Sequence, residues 1–103
     1  MNNDVPKGVP GALNPAQTTF LTRKSQQNKI GTLHNGGATP HQVEFKTEDD
    51  FLHVSAFNIP AETVLKNGKP VKLVFSISRE DKLELTGKPV HAGGNWYKIE
   101  ANS

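Results

Sequence analysis

Trp96 and Tyr97 stand directly before Lys98, and Lys72, Lys82 and Lys88 precede them in the same stretch of chain. Rings beside ammonium groups are the pairing with which small β-barrels hold single-stranded nucleic acid, because bases stack on the rings and phosphates meet the cations. Neighbouring residues of a strand point to opposite faces, so one of Trp96 and Tyr97 is expected in the core. The four histidines, His34, His41, His53 and His91, stand in no metal-ligand spacing. His53 shares a strand face with Ser55, a pattern expected of a sheet surface, and all four histidines are read as surface residues. The acids of Thr47-Glu48-Asp49-Asp50 lack the glycine-centred loop that wraps a calcium ion and read as a solvated turn.

No Gly-x-Ser-x-Gly elbow and no phosphate-cradling glycine loop occurs; Gly36-Gly37 and Gly93-Gly94 read as turn glycines. The chain has no cysteine, which excludes a disulfide framework, thiolate metal clusters and a cysteine nucleophile. No catalytic, cofactor-binding or metal-binding residue is therefore assigned, and the protein is not expected to be an enzyme.

The elements that must position these residues are short and extended. Thr18 to Arg23 alternates Phe20 and Thr22 against Leu21 and Arg23, which predicts a first strand. Asn28 to Asn35 is a weaker second, with Gly31 marking a bulge or a close backbone approach. His41 to Thr47 and Phe51 to Phe57 form a hairpin around the acidic turn, with Val43 and Phe45 on one face of the first arm and Leu52, Val54 and Ala56 on one face of the second. Ala61 to Lys66 is a helical turn or a crossing connection. Val71 to Arg79 is the longest β signal, Lys82 to Thr86 follows it, Gly87-Lys88-Pro89 turns, Val90 to Ala92 is short, and Trp96 to Ala101 closes the pattern. Six to seven short strands with turn residues between them predict an all-β fold, a small antiparallel sandwich or barrel.

Residues 1–17 differ from all of this. They hold three prolines and two glycines and no apolar face, too little to order a segment by itself. The chain divides into an extended N-terminal arm, 1–17, and a β-domain, 18–103. Fully extended, the arm spans up to roughly 55 Å, enough to cross between subunits. Val5, Pro6, Val9, Pro10, Leu13 and Pro15 are its docking residues, with Val9 and Leu13 as apolar anchors and Phe20 and Leu21 joining it to the sheet.

An apolar fraction of 34% and a mean hydropathy of −0.56 are low for a free-standing domain, so support from a partner surface is expected. The net charge of +2 is spread as a mosaic: residues 18–42 carry only cations, 43–63 are acidic, and the remainder returns to a basic excess. Such alternation suits a docking surface of mixed sign better than a continuous phosphate track. With Asp4 near Met1 and no apolar run, Sec-dependent secretion is not expected, which leaves a virion or the cytoplasm and no membrane.

By architecture, an arm on a small cysteine-free β-domain looks like the decoration, cement or minor structural proteins of tailed-phage particles. That resemblance implies a noncatalytic structural protein that docks on a larger assembly such as a capsid shell. The arm would clamp subunits together, and the protein would form a homo-oligomer in the assembly. The alternative is a single-stranded nucleic-acid-binding barrel using Lys72, Lys82, Lys88, Trp96, Tyr97 and Lys98.

Overall fold

The computed structural model describes residues 10–35, 39–56, 65 and 68–101. Among these residues one helix, α1 (Pro15–Gln27), precedes six strands: β1 (Ile30–His34), β2 (His41–Glu48), β3 (Phe51–Ala56), β4 (Val71–Ser76), β5 (Lys82–Gly93) and β6 (Trp96–Ala101). Every pairing is antiparallel, and the strands close into a barrel in the order β1-β2-β3-β6-β5-β4. The all-β expectation holds, and of its two forms the barrel is the one adopted. Phe57 to Lys66, apart from the buried Leu65, and the Gly36–Ala38 break lie outside the described residues.

Period-two alternation explains the barrel directly. Cross-strand register sets Phe45 opposite Val54, Leu33 opposite Leu73 and Leu52 opposite Ile99, all facing inward and at most 1% exposed. Phe45 and Phe75 meet edge to face at 4.9 Å between ring centroids. Gly31 lies against that pair: a Cβ there would stand 2.4 Å from the Phe75 ring, so the close approach read from the sequence is real. The acidic turn is a two-residue hairpin loop in which Asp49 and Asp50 both take left-handed backbone angles (φ 54° and 68°). That geometry matches the twist of the paired strands, and aspartate tolerates it.

Two segments depart from the sequence reading. Gly87-Lys88-Pro89 does not turn; it lies within β5, whose first half pairs with β4 as far as Val71↔Gly87 and whose second half pairs with β6. Pro89 sits past the last β4 partner, an edge-like position that accommodates a residue without an N–H.

The strand expected at Thr18–Arg23 is helix α1. Asn14 caps it, accepting from the Gln17 backbone N–H at 2.8 Å while Gln17 Oε1 accepts from the Asn14 N–H at 2.9 Å, and Pro15 occupies the first turn. The threonines that suggested a strand point outward or bond within the helix, as Thr22 Oγ1 does to the Thr18 carbonyl. Phe20, Leu21 and Lys24 share its buried face, a helical spacing that the two-residue alternation obscured.

The boundary at residue 17 moves with it. Pro15, Ala16 and Gln17 belong to α1, and the segment before them is fastened to its own barrel. The Ala101 N–H donates to the Gly11 carbonyl at 3.0 Å, and the Leu13 N–H donates to the Asp50 carbonyl at 2.8 Å. The last described β3 partner on β6 is Leu52↔Ile99, so beyond it the β6 backbone is open and Gly11 occupies the gap. Leu13, Phe20 and Leu21 join the core cluster. Phe20 and Leu21 thus join the N-terminal segment to the sheet, while Leu13, read as an anchor, is a core residue of its own domain; Pro10 is exposed, and Val5, Pro6 and Val9 lie outside the described residues.

Candidate docking face of the barrel

The barrel interior is filled by side chains, so chemistry directed at a partner falls to its outer surface. The outward residues of β2, β3, β6 and β5 form rows through the register. One row runs Lys46↔His53↔Lys98↔Val90. On either side, two residues and about 7 Å along the strands, stand Glu44 opposite Ser55, and Glu48 opposite Phe51. Trp96 precedes Lys98 by two positions on the same face of β6, and Glu100 follows it opposite Lys88.

The two lysines of the central row lie over rings. Lys46 Nζ is 4.4 Å from the centroid of Trp96, and Lys98 Nζ is 4.4 Å from that of Phe51. Each also touches an acid at longer range, Lys46 to Glu48 at 3.7 Å and Lys98 to Glu100 at 3.9 Å. Val90, at the end of the row, is 37% exposed, the large apolar side chain most open to solvent among the described residues.

The outer face of β3 is unusual in being buried. Phe51, His53 and Ser55 are all 9% exposed or less although they alternate with the inward Leu52, Val54 and Ala56. The sequence reading of His53 as a surface histidine is thereby corrected: it lies on the outer side of β3 between Lys46 and Lys98, yet it is buried. Neither its imidazole nor the Ser55 hydroxyl makes a hydrogen bond among the described residues.

Of the residues proposed for nucleic acid, Trp96, Lys98 and Lys88 come together on this face. Tyr97 does not; it is buried inside, opposite Val54, with its ring 5.2 Å from that of His91. Lys72 and Lys82 lie on the β4–β5 side, where Lys72 meets Glu84 at 3.7 Å. Sequence reasoning missed Lys46, Phe51 and His53, because Lys46 meets Trp96 only through the closing of β2, β3 and β6. The visible signal was the pair His53 and Ser55 alternating with an apolar face.

The other histidines form no site with these. His91 Nε2 lies 3.0 Å from the Gly94 carbonyl in the β5–β6 turn, and His34 and His41 are half-buried at the β1–β2 end. Among the described residues no group of three or more acids and histidines is placed to hold a metal ion. Lys24, on the buried face of α1, donates to Gln27 Oε1 at 3.2 Å, and burial lowers its pKa from the ordinary lysine value. No helix of the described residues is long and apolar enough to cross a membrane. Comparison with protein-family models, with curated proteins and with solved structures yields no match to this chain.

Proposed function

We propose that this protein is a noncatalytic binding module that docks on a larger assembly through the outer face of β2, β3, β6 and β5. The observation that carries this reading is the contrast between a barrel interior occupied by its own side chains and an outer β3–β6 face where Phe51 and Trp96 lie under lysines. Closure also supports it, since a barrel without free edges offers no strand for β-augmentation and leaves side-chain surface as the means of recognition. The face carries both signs of charge, as a docking surface that selects among partners does.

A role as a decoration or cement protein of a virus particle is the specific form of this proposal. In that form the clamp is confined to residues 1–9, because Gly11 and Leu13 are already engaged by their own barrel.

The test is site-specific photocrosslinking in the native source. A crosslinking residue at Val90 is expected to capture a discrete partner, whereas one at Glu84, exposed on the β4–β5 side, is not. Equal capture from both positions, or none from Val90, overturns the assignment of the face.

A further inference from the structure

We infer that the central row of this face is a phosphate subsite, formed by Lys46, His53, Ser55 and Lys98, and that it takes the backbone of single-stranded nucleic acid with a base stacked on Trp96. The inference rests on the docking reading and names the partner of that same face.

Three observations carry it. First, His53 and Ser55 are more than nine-tenths buried on the outer side of β3 without a hydrogen-bond partner among the described residues. Buried polar groups are normally paired, so an imidazole N–H and a hydroxyl held in this way point to an acceptor arriving from outside. Second, Lys46 and Lys98 stand in direct register on either side of His53, and no acid occupies that row. An anion seated at His53 would lie between two ammonium groups and within the reach of both long side chains. The acids they touch lie one row away at 3.7 and 3.9 Å, with side chains 45–58% exposed; such contacts are weak and exchange readily for a phosphate.

Third, Lys46 is stored on the ring that a base would use. A phosphate that draws Lys46 toward His53 uncovers Trp96, which is already half-exposed, so cation capture and base stacking become one movement. An acidic peptide satisfies the lysines but brings no flat group for Trp96. That difference favours nucleic acid.

Fluorescence anisotropy with labelled oligothymidylate and oligouridylate, on the full chain, tests this. Binding is expected to fall steeply with salt. Lys46→Ala and Lys98→Ala are each expected to weaken it and to lower the salt slope, with the double variant losing about 0.7, the one phosphate the two lysines share. Trp96→Ala is expected to weaken binding about tenfold or more. Glu48→Gln, which frees Lys46, tightens it, and Lys72→Ala on the β4 side leaves it unchanged. Circular dichroism confirms that each variant is folded. No binding at low salt, or losses from Lys46→Ala and Lys98→Ala no larger than from Lys72→Ala, overturns the subsite. Equal competition by polyglutamate assigns the face to acidic protein surfaces and also overturns it. If oligonucleotides fail while crosslinking from Val90 succeeds, the subsite falls and the docking reading stands.

Discussion

Gly31 shows how one missing side chain fixes the core. Phe75 is fully buried and locked against Phe45, so the methyl of Gly31→Ala, 2.4 Å from the ring, has no space to enter. Overpacking of this kind costs about 1–3 kcal/mol. Each kcal/mol lowers the unfolding temperature of a domain this size by about 4–8 °C, so thermal unfolding by circular dichroism is expected to show a clear drop; an unchanged midpoint would mean that the Phe75 ring is not held as described. The glycine was legible in the sequence as a close-approach position, although the ring it meets lies on β4, far along the chain. His53 illustrates the reverse case. Alternation placed it on the outer face correctly, but its burial is a property of the assembled barrel, in which β2 and β6 flank β3, and no local pattern encodes it.

At the scale of elements, the helix and the strap before it were the least legible parts. Thr18, Thr19 and Thr22 supply strand propensity, but Asn14, Pro15 and Gln17 supply a capping box and a helical first turn, and the burial of Phe20, Leu21 and Lys24 on one face decides between them. Asn14→Ala removes the cap and is expected to cost about 1 kcal/mol in chemical denaturation, with Asn14→Ser close to wild type. If both variants match the parent, the cap does not stabilise the fold. β5 was divided in the sequence because glycine and proline ordinarily punctuate. Here they fall where the strand changes neighbours from β4 to β6, a position where neither residue breaks a ladder.

For the whole molecule, the arm is shorter than its composition implies. Removing residues 1–9 is expected to leave the unfolding midpoint in place, whereas removing 1–14 also deletes the buried Leu13, its backbone bond to Asp50 and the helix cap, and is expected to lower stability by about 2–5 kcal/mol. Equal stability of the two truncations would show that the strap is not part of the fold. If the particle form of the proposal is right, the shorter truncation folds but fails to incorporate, a separate readout by co-sedimentation. The sequence by itself determined the all-β class, most strand positions and the inward residues, because period-two alternation and turn chemistry act between near neighbours and survive without knowledge of the partner strands. Only the tertiary structure decided the closure of the barrel, the return of Gly11 to Leu13 onto their own domain, and the meeting of Lys46 with Trp96 and of Lys98 with Phe51. Those features depend on which strand lies beside which, and that choice is made by the packing of the whole core, not by any segment alone.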